Sequence, residues 1–124
     1  MRHRAKRHAS EDEAYKQLRL QLLGGSCEVC GPMLAASADL VASGEIAAPI
    51  RLRCTRVATE IHHRRKRSSA GALAHRDNAT PSCHDGNMAV EHYPLVARAA
   101  GMVLREGDPD WERLSSRAWR KAQL

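Results

Sequence analysis

The chain has 124 residues, enough for one domain, and carries 20 Lys and Arg against 14 Asp and Glu, a formal net charge of +6. Aromatic residues make up 3% and Phe is absent, which excludes a large aromatic core and implies a small aliphatic one with help from elsewhere. The excess of cations favours a polyanionic partner. No apolar run approaches the roughly 20 residues of a membrane span, and the start "MRHRAKRHASEDE" has no apolar signal core, so the expectation is a cytoplasmic protein without membrane contact.

In chain order, residues 1–10 read as a basic disordered tail, because they are rich in cations and nearly without apolar side chains. Ser10 with Glu13 reads as a capping box, and Ala14, Leu18 and Leu22 recur at helical spacing, so a helix is expected over residues 11–23, stopped by Gly24-Gly25. After "CEVCGP", a short helix is expected over 34–42. From Ile50 to His62, β-branched residues alternate with others and predict a strand that delivers a histidine pair. "RRKRSSAGALAHRD" is then a basic loop. "HDGNMAVEHYPLVARAAG" predicts one or two helical stretches interrupted near Pro94 and closed by Gly101, and "MVLREGDPDW" a short strand and turn. The ending "WERLSSRAWRKAQL" reads as a basic amphipathic helix, with Trp111, Leu114 and Ala118 on a core-facing side.

Four cysteines in a reducing compartment point to metal ligation rather than disulfides. Cys27 and Cys30 form a C-x-x-C knuckle, and Gly31-Pro32 suits the tight turn around zinc. A redox pair is the alternative, but no βαβ pattern surrounds it. Neighbouring strand residues point to opposite faces, so His62 and His63 would take separate roles, one holding a metal and the other facing a substrate. Metal-assisted phosphodiester hydrolysis needs that division: a base of near-neutral pKa to activate water, and a cation to stabilise the leaving 3′ oxygen. Two solvated surface histidines are the plain alternative.

With "HHRRKRS" as a first element, Asn78 in "RDNATPSC" as a second and Cys83 five residues later, the chain resembles the HNH endonucleases, ββα-metal finger nucleases common in phages, over residues 27–111. The resemblance implies an α+β fold: a small ββα-metal finger with a zinc knuckle, flanked by N- and C-terminal helices, in a single domain of residues 11–124 with its core about 27–111. It implies a divalent-metal-dependent DNA endonuclease in which His63 is the general base, His62 a ligand of catalytic Mg²⁺ or Mn²⁺, and Asn78 a brace for the loop that positions the base. The third family position lands on Asn87 and the accessory one on Glu91, where amide and carboxylate oxygens suit hard Mg²⁺. His84, Asn87 and Glu91 share one face if a helix begins by Cys83. Read by itself, Glu91 is equally a solvated carboxylate.

The family's closing cysteine, three residues after Cys83, is replaced here by Gly86. Cys54, eight residues before His62, stands near the family's first knuckle, so a structural Zn²⁺ held by Cys27, Cys30, Cys54 and Cys83 is the expectation. Arg64, Arg65, Lys66 and Arg67 adjoin the base and are expected on DNA phosphates, which fix register without reading bases; a solvated loop is the alternative. The implied partners are DNA and a DNA-processing protein such as a phage terminase. The departures at Gly86, Asn87 and Ala79 keep a second function open, a catalytically decayed, zinc-stabilised DNA-binding or DNA-packaging accessory protein.

Overall fold

The aliphatic core lies among three helices. A computed structural model describes the backbone of residues 2–124 and the side chains of residues 10–124. Helix α1 is Arg2–Leu22, α2 is Cys30–Ala42, α3 is His84–His92 and α4 is Pro94–Ala99. Along α2, Met33, Ala36, Ser37 and Leu40 follow the i, i+3, i+4, i+7 spacing of one buried helix face. They meet Ala89 and Val90 of α3 and Val96 and Ala97 of α4, with Val29, Ile50 and Met102 closing the cluster. Ser37 adds a polar clasp, its hydroxyl accepting the Ile50 N–H at 2.8 Å.

Strands β1 (Glu60–His63) and β2 (Ala79–Ser82) form an antiparallel pair in the register Glu60↔Ser82, Ile61↔Pro81, His62↔Thr80, His63↔Ala79. Helix α3 follows β2 directly and packs against both strands, so the order is strand, strand, helix within a small α+β domain. Pro94 at the start of α4 separates it from α3, because proline lacks the N–H that would continue the helix.

The connection over residues 64–78 is held by a buried amide. Asn78 is fully buried, and its Oδ1 accepts the Arg65 N–H at 2.7 Å. Its Nδ2 donates to the carbonyls of Arg65 at 3.0 Å and Ala72 at 2.9 Å. Gly71 allows the loop to close, since a Cβ there would stand 1.9 Å from the Arg65 carbonyl oxygen. Residues 71–72 then pair with the C-terminal segment through a Gly71↔Ser115 bridge and the Ala72 N–H donating to Leu114 O. Helix α1 is anchored by buried Glu11, whose carboxylate accepts from the Leu73 N–H at 3.2 Å and the Ser116 hydroxyl at 2.8 Å.

Several elements differ from the sequence expectations. The expected strand over 50–62 shortens to β1, because Arg56 adopts a left-handed φ of 70° and turns the chain beside Cys54. Helix α2 begins at Cys30 rather than Leu34. No strand forms in "MVLREGDPDW": Gly101 turns at φ 73°, the Gly101 and Met102 carbonyls receive side chains, and a single ladder bond runs from Leu104 N–H to Arg64 O. The last helix, α5 (Ser116–Ala122), starts late because Ser115 caps it, its hydroxyl accepting the Ala118 N–H at 3.0 Å. Trp111 and Leu114 therefore lie in turns, with Leu114 still fully buried. Ser10 lies within α1 instead of capping it. In place of the disordered tail expected over residues 1–10, the backbone of α1 already runs from Arg2, and the side chains of residues 1–9 lie outside the described residues. Among the described residues, no helix is long and apolar enough to cross a membrane.

Candidate metal centre and candidate active site

Four thiols from three separate stretches of chain converge beside the hairpin. The Sγ atoms of Cys27, Cys30, Cys54 and Cys83 all lie within 4.8 Å of one another, with Cys27 to Cys30 at 3.6 Å and Cys30 to Cys83 at 3.5 Å. A tetrahedral ion with metal–sulfur bonds of about 2.3 Å sets sulfurs about 3.8 Å apart, so the cluster could hold a metal ion such as zinc. Cys30 opens α2 and Cys83 caps α3. Cys27 and Cys54 lie where two loop segments run together through the Ser26↔Val57 bridge and the Cys27 N–H donating to Arg56 O.

Backbone N–H groups prepare the sulfurs for negative charge. The Arg56 N–H donates to Cys54 Sγ and the Gly86 N–H to Cys83 Sγ, each at 3.3 Å. Burial pushes the Cys27 thiol up, but backbone hydrogen bonds from Cys83, Cys30 and Val29 outweigh it and bring the group down to about 6. Burial raises Cys30, reinforced by its thiol neighbours. Four thiols this close cannot all ionise without a cation among them, so the donor set fits a divalent metal. The Gly86 substitution also has a geometric reason. A Cβ at that position would sit 2.9 Å from Cys30 Sγ and 2.9 Å from Ser82 Oγ, so a glycine is needed where Cys54 fills the fourth corner.

The second cluster lies across the hairpin and α3. Ile61, His62, His63, Arg64, Lys66, Arg67, Asn87 and Glu91 line one cavity of about 540 Å³, together with Val90, Pro94 and Val103. His62 Nε2 meets the Met102 carbonyl at 2.5 Å and His63 Nε2 the Leu73 carbonyl at 3.1 Å. A carbonyl only accepts, so each Nε2 carries the hydrogen and each neutral ring keeps an Nδ1 lone pair. Burial lowers the pKa of both rings, with the carbonyl contacts opposing it in part. Both therefore favour the neutral form, able to take a proton or a metal. Tyr15 of α1 packs its ring 5.3 Å from that of His63.

The structure thus brings His62, His63, Asn87 and Glu91 together and keeps Asn78 out of the cavity, in the loop behind it. His84 does not join them: it is exposed and its Nδ1 lies 3.1 Å from Glu60.

The basic run divides. Arg65 is buried, its guanidinium 3.9 Å from the centre of the Trp111 ring and donating to the carbonyls of Ser69 and Trp111. Arg64 donates to Gly101 O and Asp77 O and pairs with Asp110 at 3.2 Å. The expectation that all four cations face phosphates is therefore corrected: Arg64 and Arg65 clamp the C-terminal segment, because its carbonyls and Asp110 lie within their reach. Lys66 and Arg67 remain exposed at the cavity, with Arg67 also 4.0 Å from Asp12.

Sequence reasoning missed Tyr15, Glu11 and the Leu73 and Met102 carbonyls. Any residue supplies a carbonyl, so those two left no signal. No protein-family model, curated protein or solved structure matches the chain.

Proposed function

We propose that this chain is a divalent-metal-dependent DNA endonuclease of the HNH type, its ββα unit reinforced by a structural zinc on the four cysteines. The observation that carries the reading is the cavity in which two neutral-favouring imidazoles, an amide and a carboxylate stand beside two exposed cations. His63 Nδ1 takes the proton from the attacking water, and its Nε2 bond to Leu73 O holds the ring in the tautomer that can do so. His62 Nδ1, Asn87 Oδ1 and Glu91 supply nitrogen and oxygen ligands of the kind Mg²⁺ or Mn²⁺ accepts. A cation bound there would neutralise charge on the phosphate and the leaving 3′ oxygen. Lys66 and Arg67 draw the phosphate in.

The test is conversion of supercoiled plasmid to nicked or linear product with Mg²⁺ or Mn²⁺, with 5′ phosphate ends. His63→Ala should lower the rate by about 10²- to 10⁴-fold, the usual worth of a positioned base. A parental rate in that variant rules His63 out as the base. A parent that binds DNA without cutting it is a DNA-binding module, and the nuclease reading then fails.

A further inference from the structure

Most arginines near the two clusters are engaged within the chain. Arg64, Arg65, Arg76, Arg98 and Arg113 each bond to carbonyls or carboxylates. In helix α5, Arg120 lies 3.7 Å from Glu11, and the cavity it shares with Arg67 and Arg117 is also lined by Asp12. Acidic groups weaken any polyanion site there.

The loop that carries Cys54 is different. In "RLRCTR", Arg51, Arg53 and Arg56 are all exposed, and among the described residues none of the three side chains makes a hydrogen bond or ion pair. Three cations within six residues repel one another unless a partner draws off their charge. The loop is nonetheless held firmly. Cys54 sits in the thiol cluster, Arg56 turns at φ 70° with its N–H on Cys54 Sγ, and its carbonyl accepts the Cys27 N–H at 2.9 Å. Cations on a fixed backbone bind a regular array of charges at a smaller ordering cost than cations on a free loop.

The loop is also tied to the cavity through the thiol cluster. Cys83 of the same cluster caps α3, and Glu91 lies eight residues along that helix, about 12 Å at about 1.5 Å per residue. Phosphates follow one strand at about 3.4 Å per base pair, so a duplex seated on the cavity spans that interval within about four steps.

We infer that Arg51, Arg53 and Arg56 form a second phosphate-contacting surface, which grips the backbone of the duplex whose scissile phosphate sits at the His62–His63 cavity. The inference rests on the nuclease reading for the identity of the polyanion. It adds a surface outside the cavity, coupled to the thiol cluster.

The experiment measures binding to a short DNA duplex across a salt series, without added Mg²⁺, and cleavage separately with Mg²⁺. The variant combines Arg51→Gln, Arg53→Gln and Arg56→Asn, because Asn tolerates a left-handed φ. A control removes the same charge elsewhere, with Lys16→Gln, Arg117→Gln and Lys121→Gln. The loop variant should shallow the slope of log K against log salt by about 2.7, at about 0.9 for each of three contacts. It should raise the DNA concentration needed for half-maximal cleavage while leaving the saturated rate, metal content and melting temperature at parental values. An unchanged slope overturns the inference, as does an equal change in the control, which would show a general field effect. If the parent binds with the expected slope difference but does not cut, the surface stands and the catalytic reading falls. If the parent binds no DNA, both fall.

Discussion

Replacing Cys54 by Ser removes one corner of the thiol cluster and tests whether the cluster is a metal centre. Serine is nearly isosteric, so the loss is chemical: a hydroxyl does not ionise at neutral pH and binds zinc far more weakly than a thiolate. If affinity falls by about 100-fold or more, the linked loss of folding free energy is about 2.8 kcal/mol or more, at about 1.4 kcal/mol per tenfold. For a chain with a small aliphatic core this is a large share of a total of about 5–15 kcal/mol. Metal content per chain and release to a chromogenic chelator report the first quantity, and thermal melting the second. Stoichiometric metal and an unchanged melt in Cys54→Ser would refute the four-thiolate site. Gly86→Cys should not rescue that variant, although it restores the spacing of a second C-x-x-C knuckle. The new Cβ would displace Cys30 Sγ from 2.9 Å, so metal retention should drop further. Rescue by Gly86→Cys would show that the helix start can shift, and would refute the packing argument.

Asn78→Ala should lower stability by about 3–5 kcal/mol, since three hydrogen bonds vanish and the Arg65 N–H, Arg65 O and Ala72 O are left buried. At about 4 °C per kcal/mol the melt should fall by about 12–20 °C, and a fall of under 3 °C would show that the loop relaxes or takes up water. In Mg²⁺-free buffer, NMR titration should place the His63 imidazole below its ordinary value of about 6.5, because burial disfavours the cation. The sign for stability follows: its contribution is fully present above about 6.5 and is lost as pH falls through the lower folded value. A His63 midpoint at or above 6.5 would mean that the ring is solvated.

Legibility followed physical kind. Apolar spacing announced α3 and α4 because a helix face recurs at a fixed period, and Pro94 marked their break for the same steric reason it marks any helix start, whereas the small, loosely periodic residues of α2 permitted a helix without fixing its start. The cysteine set was readable because four thiols have few joint uses. What the sequence did not show depended on contacts between distant segments. The 50–62 run alternates like a strand, yet Arg56 turns left-handed to place Cys54, which no local propensity demands. The run Arg64–Arg67 looks uniform in sequence, but Trp111 and Asp110 claim two of its members from some 46 residues away. Ser115 stops the last helix from starting at Trp111 through one hydroxyl.

The weak core explains why so many polar groups are buried. Without Phe, the aliphatic cluster is confined to α2, α3, α4 and their neighbours, and Asn78, Arg65 and Glu11 are the buried groups that hold the loop over residues 64–78. These groups do more than fill space, because they determine where the His63 ring points. Glu11 Oε1 takes the Leu73 N–H, the Leu73 carbonyl takes His63 Nε2, and Asn78 fixes the same loop from behind through Ala72 O. The Ala72–Leu73 peptide is thereby held on both its C=O and its N–H, which fixes the backbone next to the Leu73 carbonyl; that carbonyl only accepts, so the imidazole keeps its free nitrogen at Nδ1. The thiol cluster does the equivalent for α3. Cys83 caps α3, so the start of the helix that carries Asn87 and Glu91 is anchored at the cluster. Each wall of the candidate active site is thereby tied to a polar or thiol anchor of its own, and the cavity can stay open between them without a large apolar core beneath it.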